Sequence, residues 1–354
     1  MRLDITKRYG LSFVVLLSLL LTACQPKFTD QSEEMKAQAI RIRANVVNSS
    51  LVWLDENRLA FMQDNEDTKI TWDNTLNIAY IGTDDQVQLP FPDRTEQCEE
   101  RELITVGNLR RLSNGNLGFI LRCSSLELGV REELYMWDIE ADELHLLFDF
   151  SKDGGGKLPP ISYTFAPDMS VLIYGKSGGI GGETYRVDQD KPVQRILPDF
   201  VRTNDPNWSP DGKTIAFMGT RTYDGVHPDD FSSYEEARQL LFHPWDIYLM
   251  NAEGGNMRLI FEGITDPRGI EWVPSSNRYL SLVGDYNDVS GIWLLDTETK
   301  QLSRIWDEWS AYSWSPDGTQ LIIMEKIEEN GRKSSYPVVI GSPIPPDHDN
   351  ADGS

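Results

Sequence analysis

The sequence predicts an all-β fold, a β-propeller of four-stranded antiparallel blades, and three observations predict it. A segment that runs from an aromatic residue through a tight turn into a β-rich apolar run recurs along the chain. Its copies are spaced at intervals close to the length of a propeller blade. Each copy is followed by further short apolar strands bounded by turn residues.

Two copies are clearest. Asn207-Trp208-Ser209-Pro210-Asp211-Gly212 and Ser313-Trp314-Ser315-Pro316-Asp317-Gly318 share a W-S-P-D-G core. Pro presets φ at the second position of a type I turn and Gly takes the last, so each copy reads as a hairpin between two strands. Degenerate copies stand at residues 53–57, 112–115, 165–169 and 272–276. The six anchors, at positions 53, 112, 165, 208, 272 and 314, lie 59, 53, 43, 64 and 42 residues apart, which allows one blade per interval. Third strands are expected at 133–138, 246–251 and 291–296, and fourth strands at 144–148, 257–261 and 302–306. The last unit lacks a fourth strand after 337–340, and the segment 39–47 is placed to supply it and close the ring.

These repeats resemble those of the TolB-type β-propellers, relatives of the WD-repeat propellers, over roughly residues 51–340. The resemblance implies a six-bladed disc around a central channel, whereas the spacing alone implies a multi-blade array. The Trp of each copy is expected to pack between blades and the Asp to shape the turn, not to do chemistry. The Gly directly after the Asp also separates the motif from the S-x-D-x-G box of sialidases.

Ahead of the repeats, Arg2, Lys7 and Arg8 precede an apolar run from Leu11 to Leu21, the pattern of a signal peptide. A transmembrane helix takes about 20 apolar residues, and this run is shorter and broken by Ser12 and Ser18. Leu21-Thr22-Ala23-Cys24 resembles the lipobox of bacterial lipoproteins, which implies a diacylglycerol thioether on Cys24 and removal of residues 1–23. Ordinary secretory cleavage near Ala23, leaving Cys24 free, is the alternative. Acyl chains contribute about 0.8 kcal/mol per buried CH₂, so a multiply acylated N-terminus holds a protein on a membrane without crossing it. The chain thus divides into a signal peptide (1–23), a lipidated N-terminus and tether (24–38), the propeller (39–341) and an acidic, Pro-containing disordered tail (342–354).

The formal net charge is −23, and about −25 once the signal peptide is gone. No Lys/Arg cluster that could displace the counterions of a polyanion is present, which argues against a nucleic-acid partner and favours cationic ones.

In a propeller blade the turn between the first two strands lies on one face, and the second-to-third loop and the blade-to-blade crossover lie on the other. Cys98 and Cys123 fall on the crossover face. With Cys24 lipidated they make an even pair in an oxidising compartment, and a disulfide closing about 25 residues would stabilise by roughly 3 to 4 kcal/mol. Two unpaired thiols are the alternative. An insertion from Arg221 to Pro244 in blade four opens on that same face. Its middle reads as one short helix with a Ser232–Glu235 capping box, preceded by Tyr223, Asp224, His227, Asp229 and Asp230. The helix either packs on the disc or serves ligand recognition. A transition-metal site is the weakest reading, because His227 and His243 with scattered carboxylates match no standard ligand spacing.

The crossovers add Asp149, Asp153, Asp199, Asp205, Asp266, Asp307 and Glu308, with Arg202 and Arg268 among them. They are expected to form an acidic, aromatic channel mouth suited to a basic peptide, a cationic ligand or Ca²⁺, with a solvated rim as the alternative. No active site is legible. Gly175-Lys176-Ser177-Gly178-Gly179 matches a nucleophile elbow only superficially, since no helix pattern follows it. The histidines are too dispersed for a lyase metal cluster, and a pair of glycosidase carboxylates leaves no sequence signal. The expected function is therefore an envelope module without a cofactor, binding an envelope protein or basic peptide. A propeller-based lyase or glycosidase, or a carbohydrate-binding protein, is the alternative.

Overall fold

The computed structural model describes residues 28–42, 50–64, 74–89, 103–125, 129–150, 160–178, 181–189, 191–221, 244–329 and 332–344. An N-terminal strap holds β1 (Thr29–Asp30), α1 (Ser32–Gln38) and β2 (Ile40–Arg41). Three antiparallel sheets follow in chain order: β3 (Leu51–Asp55), β4 (Arg58–Asp64), β5 (Asn74–Tyr80) and β6 (Gln86–Gln88); β7 (Leu103–Arg111), β8 (Leu117–Ser125), β9 (Gly129–Asp138) and β10 (Glu143–Asp149); and β11 (Pro160–Phe165), β12 (Val171–Gly178), β13 (Gly181–Asp188) and β14 (Gln194–Ile196). Next come β15 (Phe200–Trp208), β16 (Thr214–Arg221), β17 (Trp245–Asn251), β18 (Arg258–Trp272), β19 (Tyr279–Tyr286), β20 (Val289–Asp296) and β21 (Leu302–Trp306), which join in one eight-stranded sheet with β1 at its edge. The last sheet contains β22 (Tyr312–Trp314), β23 (Gln320–Glu329) and β24 (Arg332–Gly341), with β2 paired to β24.

The fold is an all-β propeller of four-stranded antiparallel sheets. Among the described residues there are four such sheets, and the eight-stranded one departs from the expected pattern. Its cause is β18, which runs through the expected end of a fourth strand at 261 and on to Trp272. Its first half pairs with β17 and its second half with β19, with a register shift between Thr265 and Gly269.

Strands buried on both faces read as continuous apolar runs, and β16 shows why such runs form here. Ile215, Ala216, Phe217 and Met218 are each 0 % exposed, with Ile215 and Phe217 packed toward Ala166 and Ile173 and Ala216 and Met218 toward Leu280 and Leu282. Outer strands are shorter and wetter, and β6 is exposed throughout. Apolar clusters fill the spaces between successive sheets. One joins Leu51, Trp53 and Phe61 of the first sheet to Ile322 and Met324 of the last, which closes the ring. The outermost strand of the last sheet is the N-terminal β2, where Ile40 and Arg41 pair with Val339 and Val338, inside the segment expected to supply it.

The W-S-P-D-G copies make the expected hairpins. Ser209 Oγ donates to Asp211 Oδ1 at 2.7 Å and accepts from the Thr214 N–H at 3.0 Å, and Ser315, Asp317 and Gln320 repeat this at 2.6 and 2.9 Å. Gly212 and Gly318 adopt φ of +70° and +69°, a region that costs other L-residues. Each turn leans on the turn of the preceding sheet. A Cβ on Gly212 would sit 3.1 Å from Pro167 Cδ, and one on Gly318 would collide with Ser275. The Trp side chains reach across too: Trp272 Nε1 donates to Asn207 O at 3.1 Å, from β18 to β15 of the eight-stranded sheet, and Trp314 Nε1 donates to Ser281 Oγ at 2.8 Å, from the last sheet to the eight-stranded one.

The short helix expected between Arg221 and Pro244 lies outside the described residues, since 222–243 are not among them. The helix that the structure does describe is α1, in the segment the sequence reads as a tether. Glu33 and Glu34 occupy its first turn, where negative charge suits the helix dipole. Met35 is buried against Ile305 and Trp306. Asp30 pairs with Arg304 at 2.9 Å, Lys36 with Asp307 at 2.5 Å, and Phe28 packs edge-on to Trp293 with centroids 5.0 Å apart. The strap therefore spans the eight-stranded sheet and the last one.

Candidate functional site: the central channel and its mouth

The inner strands β3, β7, β11, β15, β18 and β22 surround a cavity of about 1100 Å³. The residue before each sequence anchor lines it: Val52, Arg111, Thr164, Asn207, Glu271 and Ser313. Three inner strands carry a bulge. Asn108, Asp205 and Asp266 have φ of +54°, +52° and +44°, and each sits within a register shift. Asn and Asp tolerate this left-handed conformation better than other non-Gly residues. Two of them precede Pro206 and Pro267, which lack the N–H that an unbroken ladder would need. Two residues after each of these positions, Arg110, Asn207 and Arg268 line the cavity.

Asp205 ties three of these strands together. It accepts from Arg110 Nη2 at 2.5 Å and from the Ile270 N–H at 2.8 Å, and its side chain is 10 % exposed. Glu271 lines the same cavity. Burial pushes its carboxyl up to about 7, Arg110 opposing the rise and the Asp205 charge adding to it. Tyr312, opposite, bonds Ser281 Oγ at 3.0 Å, and burial together with the Glu271 charge raises its hydroxyl pKa. At the mouth, Arg268 is 59 % exposed, pairs with Asp266 at 3.1 Å and lies 5.0 Å from the ring centroid of Trp309. Trp309 Nε1 donates to Asp285 Oδ1 at 2.9 Å, and Lys326 Nζ donates to Trp309 O at 2.8 Å.

Solved structures share this architecture. TolB from Acinetobacter baumannii is 17 % identical and superposes with a TM-score of 0.50 over 81 % of this chain and 64 % of that one. The chain has the TolB-type propeller fold. It therefore spans less than two thirds of the length of that TolB chain. A putative TolB from Agrobacterium tumefaciens (12 % identity, 73 % of this chain, 95 % of that one, TM-score 0.46) and an oligogalacturonate lyase from Vibrio parahaemolyticus (11 %, 84 %, 71 %, 0.43) are also similar. No family model and no curated protein matches the sequence.

The structure brings some expected site residues together and separates others. Asp266 and Arg268 stand at the mouth as a pair. Asp205 lines the channel wall, where Arg110 offsets its charge, so it does not make the mouth acidic. Arg202 is a correction. It is 4 % exposed and away from the cavity, its guanidinium 4.2 Å from the Trp245 ring and its Nε donating to Thr220 Oγ1 at 3.0 Å. Burial pushes its pKa down to about 10. Asp149 is buried near Arg131, and Asp307 is held by Lys36. Among the described residues the lining carries Arg110, Arg111, Arg268 and Lys326 against Asp205 and Glu271.

Cys123 is 4 % exposed on β8, opposite Ile104 and Arg131. Cys24, Cys98, Asp153, Tyr223, His227, Asp229 and Asp230 lie outside the described residues. No described group of three or more His, Cys, Asp or Glu is arranged to hold a metal ion, and no described helix is long and apolar enough to cross a membrane. Sequence reasoning missed Arg110, Glu271, Trp309, Tyr312 and Lys326. Aligning the six anchors and reading the residue before each would have found Glu271.

Proposed function

We propose that the chain is a cell-envelope binding module, a propeller tethered to a membrane through acylated Cys24 that holds a partner at the mouth of its channel. The observation that carries this reading is the mouth itself. An exposed Arg268–Asp266 pair, Trp309 and Lys326 border a large cavity whose wall is fixed from within by the Arg110–Asp205–Ile270 bridge. Arg and Trp are the side chains that most often dominate binding energy. A mouth of mixed charge suits a protein surface.

The propeller is read as six-bladed, the eight-stranded sheet counting as two blades that share β18. Support comes from the cluster that packs Ala216, Met218 and Ile247 of one half against Leu280, Leu282 and Trp293 of the other, as between separate blades. A Cys98–Cys123 disulfide belongs to the same reading.

Capture from envelope extract tests it, using the parent protein and an Arg268→Ala/Trp309→Ala variant side by side. A partner held by the parent and bound at least about tenfold more weakly by the variant is expected. Equal capture by both would refute the mouth. The second reading, a carbohydrate-active propeller, rests on Glu271 and Asp205, two carboxylates in one cavity held in different environments. Turnover of a polysaccharide that is lost in Glu271→Gln would favour it.

A further inference from the structure

The chain carries a net charge of −23, yet the described channel lining has four basic and two acidic side chains. Near charges set the field in a narrow cavity, because solvent and salt screen the outer surface beyond about 8 to 10 Å while low-dielectric walls focus what lies inside. Both acids are subdued. Asp205 is engaged by Arg110 and the Ile270 N–H, and Glu271 is half-buried beside that negative charge. At the mouth, Lys326 Nζ has one described hydrogen bond, to Trp309 O, and an ammonium has three donors. Arg268 is largely exposed and is held in place by Asp266 and the Trp309 ring.

Arg268 and Glu271 are three residues apart on one strand, so about 10 Å of strand separates their backbone positions. We propose that the channel is a binding site for a small organic polyanion, one carboxylate resting on Arg268 and Lys326 and a second reaching Glu271, which binds in its protonated form and donates a hydrogen bond. This rests on reading the channel as a binding site and names its ligand class. It replaces the cationic ligand that composition favours.

The charged and titratable groups facing Glu271 are Arg110 of β7, Asp205 of β15 and Tyr312 of β22, with Arg268 on its own strand. The arginines stay charged and Tyr312 stays neutral, since burial raises its pKa. Glu271, pushed up to about 7, is the group among them that titrates near neutrality. An anion beside it favours its neutral form, so binding takes up a proton and strengthens as pH falls. Above the pKa of the free carboxyl, affinity falls about tenfold per pH unit.

Calorimetric titration of the purified full chain with suberate tests this, between about pH 6.5 and 8.5, where both suberate carboxylates are ionised. Suberate is expected to bind with proton uptake. Arg268→Ala/Lys326→Ala, two exposed positions, weakens it at least about tenfold, and Glu271→Gln binds it with the pH slope gone. No suberate binding overturns the proposal, as do unchanged affinity in the double variant, the parental pH slope in Glu271→Gln, or Ca²⁺ or spermidine occupying the channel instead. Suberate binding without any captured protein partner would sink the module reading and leave this site standing, and the converse outcome would do the reverse.

Discussion

Asp205 carries the most load of any polar group in the channel, and removing its carboxylate is the sharpest test of how the inner strands are held. Asp205→Ala leaves Arg110 facing the cavity without its 2.5 Å partner and strips the Ile270 N–H of its 2.8 Å acceptor. Breaking a fully buried pair costs about 3 to 5 kcal/mol, and the 24 % exposure of the Arg110 side chain lowers that to about 2. The orphaned N–H adds about 1 kcal/mol, and Ala at a φ of +52° adds about 1 more. The expected loss is about 4 kcal/mol for Asp205→Ala. It is about 2 for Asp205→Asn, which tolerates the left-handed conformation and keeps an acceptor for Ile270. Urea unfolding followed by Trp fluorescence measures both variants. A cycle with Arg110→Met isolates the pair, whose coupling should exceed about 1 kcal/mol. An Asp205→Ala loss below about 1 kcal/mol, or no coupling to Arg110, would refute the bridge.

Gly318→Ala should destabilise more than Gly212→Ala, because a Cβ at 318 runs into Ser275 while one at 212 meets only the edge of Pro167; equal midpoints in urea would contradict turn-on-turn packing. Glu271 has a folded-state pKa above its unfolded value of 4.5, so its contribution to stability is complete below about 4.5 and is lost as pH rises through about 7. Glu271→Gln should therefore gain on the parent across that window in unfolding experiments, and parallel pH profiles would count against a raised carboxyl. Asp296 behaves in the opposite sense. Burial pushes its pKa up, but the Arg278 hydrogen bonds at 2.6 and 3.0 Å and the Glu298 and Thr299 N–H groups hold it at about 2. Its stabilisation is present above about 3.8 and lost as pH falls toward 2, so Asp296→Asn should flatten the acid limb of the stability curve. Thiol titration of the denatured, processed protein should find no free Cys98 or Cys123, whereas two free thiols would remove the disulfide.

The hairpin turns were legible because their cause is local. Pro presets φ, Gly accepts φ near +70°, and Ser and Asp bond backbone within a few residues of themselves. The helix α1 was not legible. Its seven residues are too few to form a helix alone, and Met35 is buried only because β21 and the last sheet lie beneath it. β18 was misjudged for a related reason. The strand runs on through Gly263 at φ +90°, because its two pairing partners lie on either side of it in sequence and hold both halves. In the candidate site, Arg268 lines the cavity and pairs with Asp266, whereas Arg202 lies away from it, because Trp245 and Thr220 enclose it.

By itself the sequence determined the repeat, the turns and the strand pattern, since each depends on backbone preferences and apolar spacing within some ten residues. The electrostatic character of the channel was decided by the tertiary structure alone. A carboxylate counts as acidic only where no cation offsets it, and Asp205 meets Arg110 across 95 positions of chain. Ring closure likewise sets the first sheet against the last, bonding the Trp53 N–H to Ser313 Oγ at 2.9 Å over 260 positions. Composition sums the charges of a chain, and the fold decides which of them share a cavity.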